Sequence, residues 1–306
     1  MLRKDLSAVA AALAGATLWG LVWLPLDRLT GLGISGLWTT FLVFALISGI
    51  GMAPVALAFR RGRCPLALAP ILLLTIFGGL TNLLFFVALT KTTVVRALML
   101  FYLSPVWNLI GGRLIGKTRI TAGKFLMVGI ALTGAAILLG LHHGTAPGWN
   151  AGDTCALLSG IAFAVSVIGL QLSPTTPSWA LTIIHWLGAA LTALIGIALF
   201  QPPPPDWSRI GAWLPLLIFF AVGVQAAASL AILFSLTRLE SYRVNLLMLF
   251  EIVVGTVSFA LWSGKVIAAH EWLGIALVLT ASLLDNLRRP GQPPSTPETP
   301  PAALDN

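Results

Sequence analysis

RVNLLMLFEIVVGTVSFALWS, residues 243–263, decides the fold of this chain. At about 1.5 Å per residue a helix of this length crosses the roughly 30 Å hydrocarbon core of a bilayer. One carboxylate, Glu251, sits in its middle. A charge at that depth costs about 2.5–3.5 kcal/mol on insertion scales, and such residues ordinarily face a bundle interior and serve a function. Met248, Glu251, Gly255, Ser258 and Trp262 recur at spacings that share one helical face. That face is polar or small and is expected to point into the protein. The opposite face, of Leu, Ile, Val and Phe, is expected to meet lipid or neighbouring helices.

The rest of the chain has the same character. It has 306 residues, of which 58% are hydrophobic and 9% charged, against about 25% charged in a soluble domain. This is the composition of an all-α integral membrane protein. The net charge of +8 does not indicate nucleic acid, because the basic residues lie between apolar segments, where they signal topology. Cys64 and Cys155 are too few for a disulfide framework and read as unpaired thiols. The first apolar segment is too long for a cleavable signal peptide and has no clear small-residue cleavage site.

Hydropathy predicts ten transmembrane helices, at 6–25, 37–59, 66–89, 94–114, 121–141, 152–172, 178–200, 211–236, 243–263 and 270–287. No acid other than Glu251 is expected deep within them. Of the 18 Lys and Arg residues, only Arg28, Lys91, Arg96, Arg209 and Lys265 fall outside when the N-terminus is placed inside. This bias puts both termini in the cytoplasm of a multi-pass inner-membrane protein. The tail 289–306, rich in proline and small polar residues, is expected to be disordered. Pro202–Pro205 reads as a stiff external spacer, and Trp38, Trp149 and Trp207 as interfacial anchors.

The halves also repeat. Leu89-Thr90-Lys91 and Arg96 recur in spacing as Leu236-Thr237-Arg238 and Arg243, and Gly116-Lys117 as Gly264-Lys265. Five spans per half is an odd number, so the second half enters the membrane in the opposite sense. Inverted repeats place substrate near the midplane at the repeat interface. The expected units are 1–145 and 146–288.

Leu18-Trp19-Gly20 in the first segment, Ala88-Leu89 closing the third, Tyr102-Leu103-Ser104-Pro105 in the fourth and the Glu251 segment in the ninth resemble the drug/metabolite transporter (DMT) superfamily, EamA type. The resemblance runs over 6–287 and implies two inverted five-helix repeats and a secondary transporter. Within it, Met99–Trp107 is similar to the matching stretch of bacterial aromatic-amino-acid exporters of the YddG type.

Polar and aromatic residues at bilayer depth are the candidates for a substrate-binding cavity. In the first half they are Trp19, Trp23, Asn82, Phe86, Tyr102, Ser104 and Asn108. In the second they are Phe163, Ser166, His185, Trp186, Gln225, Ser229, Met248 and Glu251. Plainer roles stand beside these: the amides can bridge helices, His185 can be a packed neutral imidazole, and Trp19 can pack on glycine. Glu251 has three readings, as partner of a substrate ammonium, as proton exchanger, or as a protonated structural group. Pro105 is expected to kink its helix and free a carbonyl toward the cavity.

The function expected is export of small metabolites, amino acids first, by alternating access. A sugar-phosphate or nucleotide-sugar carrier would place Lys or Arg deep in the cavity, and here they cluster at span ends. A drug carrier, a membrane-embedded enzyme and a non-transporting assembly or sensor subunit are the alternatives. The enzyme would need a metal cluster, a triad or paired carboxylates at depth; the His142-His143 pair lies in an external loop and Glu251 has no acidic partner in sequence. No cofactor or metal is expected. The expected partners are a small-molecule substrate, the lipid bilayer and a coupled proton, in a monomer or weak homodimer.

Overall fold

The computed structural model describes residues 2–62, 67–114, 122–138, 148–173, 175–239, 241–264, 266 and 268–288. The tail 289–306, Cys64, the Gly116–Arg119 turn, Lys265 and the His142-His143 pair lie outside the described residues, which are helical and contain no strand. In the first half, α1 (Leu2–Gly20) and α2 (Trp23–Gly31) are followed by α3 (Gly36–Arg60) and α4 (Leu68–Lys91). Next come α5 (Val94–Phe101), α6 (Ser104–Leu114) and α7 (Ala122–Leu138). In the second half, α8 (Ala151–Gln171) and α9 (Ser178–Phe200) precede α10 (Ile210–Ile218), a π-helical stretch (Phe219–Ala226) and α11 (Ala227–Leu236). The chain ends in α12 (Ser241–Met248), α13 (Phe250–Ser263) and α14 (Ala269–Arg288).

Among the described residues, six helices are long and apolar enough to cross a membrane, including Leu6–Gly31, which joins α1 to α2, and Trp207–Leu236, which joins α10 to α11. The other four predicted segments hold helices whose apolar stretches are shorter or interrupted. The fourth and ninth segments, expected to be continuous, are each broken near the middle. In the fourth, Pro105 has no N–H for the carbonyl of Phe101, so α5 stops and α6 starts anew. The unclaimed Phe101 carbonyl does not face the cavity, as the sequence suggested. It lies against Gly160 of α8, where a Cβ would stand 2.6 Å from it. The ninth segment contains no proline, and its break is tertiary in origin. The Tyr102 hydroxyl donates to the Met248 carbonyl at 2.9 Å, and the Ile252 N–H turns to Leu249 O at 3.1 Å. The two breaks fall at the interval that separates Leu89 from Leu236 and Arg96 from Arg243.

The same exchange relates the packing. α8 packs on α4, α5 and α6, and α1 packs on α11, α12 and α13. α8 runs antiparallel to α4, with Gly152 at Lys91 and Gly169 at Pro70; α1 runs antiparallel to α11, with Gly15 at Ile232 and Ala8 bonded to Ser235. α8 runs parallel to α5–α6, with Gly160 at Phe101 and Gly111 at Ile168, and the α1–α2 span runs parallel to α13, with Gly20 at Val254 and Trp23 bonded to Ser258. Because Leu98 meets Gly255 while Tyr102 meets Met248, α5–α6 is antiparallel to α12–α13. Equivalent helices of the two halves therefore run in opposite senses, the arrangement of an inverted repeat.

A second buried acid, not deep in a span but at its first turn, stands at the start of α8. Asp153 is fully buried. It caps the helix reciprocally with Asn150 and receives Arg96 Nη2 at 2.6 Å, Arg96 Nε at 3.1 Å and the Thr92 hydroxyl at 2.8 Å. Its place at the first turn of its segment hid it from a search for mid-span charges. Asp153→Ala strands the Arg96 guanidinium and removes the cap, and is expected to cost about 2–4 kcal/mol, read as a lower melting temperature in detergent.

Candidate functional site

A cavity of about 190 Å³ lies in the centre of the bundle, bounded by residues of α1, α4, α5, α8, α9, α11, α12 and α13 and by the π-helical stretch. It reaches from the level of the two helix breaks toward the end at which α1, α4 and α9 begin, past Leu74, Leu181, Leu236 and Val244. Toward the other end it is closed by packed rings. Phe86 stacks on Phe220 with centroids 5.6 Å apart and packs on Phe44 at 6.0 Å, and all three are buried.

Glu251 is 2% exposed and stands in the first turn of α13 at the cavity wall. Its Oε2 is hydrogen-bonded to the Tyr102 hydroxyl. That hydroxyl has one hydrogen and two neighbours, Glu251 and Met248 O. With an ionised Glu251, Tyr102 donates to the carboxylate. With a protonated Glu251, the carboxyl donates to Tyr102, and Tyr102 in turn donates to Met248 O. Either way the charge state of Glu251 is tied to the carbonyl at the break between α12 and α13.

A second polar group lies on α4 and α9. The Asn82 amide donates to Gly78 O at 3.1 Å and lies 2.7 Å from His185 Nε2. With the amide as donor to both, the imidazole accepts at Nε2 and its other nitrogen faces the Gly78 backbone. Truncating one partner leaves the other half-buried and unpaired at the cavity wall. Asn82→Leu alone is expected to cost about 1–3 kcal/mol. Combined with His185→Leu the cost is expected to be sub-additive, with a coupling of at least about 0.5 kcal/mol in a double-mutant cycle of detergent stabilities.

Gln225, 4% exposed, is the next-to-last residue of the π-helical stretch and lines the cavity. Such wide turns often mark functional positions in helices. Trp19 lines it too, and its indole N–H has no hydrogen-bond partner in the structure. The hydroxyls of the wall donate within their own helices: Ser166 to Phe163 O, Ser229 to Gln225 O, Thr182 to Ser178 O and Thr81 to Phe77 O. Phe101 packs on Phe85 at 5.0 Å and on Phe163 at 5.6 Å, giving the cavity an aromatic wall.

Eleven of the residues singled out from sequence thus meet at one cavity: Trp19, Asn82, Phe86, Phe163, Ser166 and His185, with Trp186, Gln225, Ser229, Met248 and Glu251. Four do not line it. Tyr102 stands behind Glu251. Trp23 is turned to α13, donating to Ser258 at 3.0 Å and packing edge-on against Phe259. Ser104 is buried at the start of α6. Asn108, one turn further, has both amide atoms buried without a hydrogen-bond partner in the structure. Sequence reasoning missed Phe85, Phe101 and Thr81, which line the cavity but are ordinary residues of an apolar helix, with no local signal to single them out.

Comparison with known proteins agrees with this architecture. The model of the EamA-like transporter family matches residues 6–140 and 150–286. A solved crystal structure of a protein superposes with a TM-score of 0.69 at 18% identity, covering 92% of this chain and 97% of that one, a likeness of fold alone. No curated protein matches.

Proposed function

From the fact that the chain belongs to the EamA-like transporter family, within the drug/metabolite transporter superfamily, we infer that it is a secondary transporter exporting small, amphipathic, amine-bearing metabolites. Neutral amino acids and simple amines both belong to that class. The observation that carries the inference is the composition of the cavity wall: one carboxyl, two amides, an imidazole and aromatic rings, with no Lys or Arg among the described lining residues. A phosphorylated solute would find no cation there. The volume, about 190 Å³, is below the roughly 300–1,000 Å³ of sites that hold drug-sized ligands, which favours a metabolite over a bulky drug.

Glu251 pairs with the substrate ammonium, and the rings hold the apolar body. Two inverted five-helix units, 1–145 and 146–288, rock about this site. With the N-terminus cytoplasmic, the cavity opens inward and the Phe44–Phe86–Phe220 stack forms the closed outer side. On this scheme ammonium and proton compete for Glu251, so an inward-directed proton gradient drives export.

The test is counterflow in proteoliposomes, screened with labelled amines and neutral amino acids, with and without a pH gradient. Saturable exchange above protein-free liposomes is expected. Flux of phosphorylated solutes alone would remove this reading.

A further inference from the structure

The cavity wall carries one carboxyl and, among the described lining residues, no Lys or Arg to balance a second anion. Most of its other polar groups are already engaged. The four wall hydroxyls donate to main-chain carbonyls of their own helices. Both hydrogens of the Asn82 amide are directed at Gly78 O and His185 Nε2. A protonated Glu251 directs its hydrogen at Tyr102. The donors left at the wall are all neutral: the Trp19 indole N–H, which is buried without a partner, the Trp186 indole N–H and the Gln225 amide.

An α-amino acid carries its carboxylate on the carbon that bears its ammonium. Once the ammonium meets Glu251, the carboxylate lies beside that same side chain, where like charges oppose each other. A carboxylate has about four acceptor sites to satisfy, and buried charge without partners is the costliest group to desolvate. A neutral carbonyl needs one donor, which the Trp19 N–H or the Gln225 amide supplies.

Resting on the transport reading above, we propose that the site selects against a substrate carboxylate: its preferred cargo is a small amine with an aromatic or apolar body and at most one neutral acceptor, such as a simple arylalkylamine or an amino-acid amide, in preference to the parent amino acid. Glu251 holds the ammonium, the Phe85–Phe101–Phe163 wall holds the body, and Trp19 with Gln225 reads the neutral acceptor. Trp19 and Gln225 are then specificity residues.

The test compares three probes that share one ring: phenethylamine, phenylalaninamide and phenylalanine. Binding to the purified full-length chain is followed by tryptophan fluorescence. Transport is followed by counterflow of labelled phenethylamine above protein-free liposomes, with the other two as competitors. Phenethylamine and phenylalaninamide are expected to bind and compete at concentrations at least about tenfold lower than phenylalanine. Gln225→Leu is expected to weaken phenylalaninamide several-fold while leaving phenethylamine nearly unchanged, a split that mere loss of folding would not give. Phenylalanine binding as tightly as the amide overturns the inference and leaves the transport reading standing. Amine binding without counterflow supports the chemistry assigned to the cavity and removes the transport reading. Binding of none of the three overturns both.

Discussion

Glu251→Gln is expected to give a folded protein that has lost at least about nine-tenths of its amine flux at sub-saturating concentration. Gln matches Glu in shape. Its amide donates to the Tyr102 oxygen while Tyr102 donates to Met248 O, which keeps the hydrogen-bonded chain between the two helix breaks. What is lost is the charge. A hydrogen bond to a charged group contributes about 1.5–3 kcal/mol, roughly a 10- to 150-fold change in affinity. Counterflow and melting temperature, measured together, separate loss of site from loss of fold. Tyr102→Phe should do the reverse in part. It keeps the carboxyl but removes the hydroxyl that stands between Glu251 and Met248 O, so flux falls less than in Glu251→Gln while the melting temperature moves. Wild-type flux in Glu251→Gln would take Glu251 out of the mechanism.

Much of this site is visible in the sequence because the bilayer makes polarity informative. A Glu, an Asn or a Gln in an apolar run has few places to go except inward, and Glu251, Asn82, His185 and Gln225 all line the cavity. The opposed sense of the two halves is legible for a similar reason, since basic residues mark loops and the number of spans per half fixes the direction of the second. Three features were not legible. The break at Leu249 has no local cause; it depends on a hydroxyl that lies far away in sequence on Tyr102. The Phe85–Phe101–Phe163 wall looks like any other set of rings in lipid-embedded helices. Asp153 resembles an ordinary first-turn acid, and only the packing of α8 against α5 turns it into a buried ion pair with Arg96. Trp23 and Asn108 show the limit of polarity as a guide. Trp23 turns to a contact with α13, and Asn108, though its amide is buried, does not line the cavity.

Gly188→Val is expected to be among the most damaging single changes in the chain, and the reason lies where α4 crosses α9. Backbone meets backbone there: a Cβ on Gly188 would run into the Thr75 carbonyl, and one on Gly79 would stand 2.6 Å from the Gly188 carbonyl carbon and 2.7 Å from Thr192 Oγ1. Small residues permit such approaches between membrane helices. Overpacking a core typically costs about 1–3 kcal/mol because side chains yield, but here the obstacle is main chain inside two helices and cannot rotate away, so the cost belongs at or above the top of that range. The consequence extends to the site. The same crossing sets the His185 ring against Gly78 and brings its Nε2 to Asn82, so parting the helices pulls apart one polar wall of the cavity. Gly188→Val should lower the melting temperature in detergent, and the fraction that stays folded should still transport poorly. Gly188→Ala should show the same defects in milder form. Gly49→Ala is the control: nothing stands within 4 Å of the added methyl, and relief of glycine's backbone freedom in α3 should leave the protein equally stable or up to about 1 kcal/mol more so. Equal melting temperatures and flux in Gly188→Val and wild type would mean that α4 and α9 do not cross at this contact, and the Asn82–His185 pair would lose its place in the site.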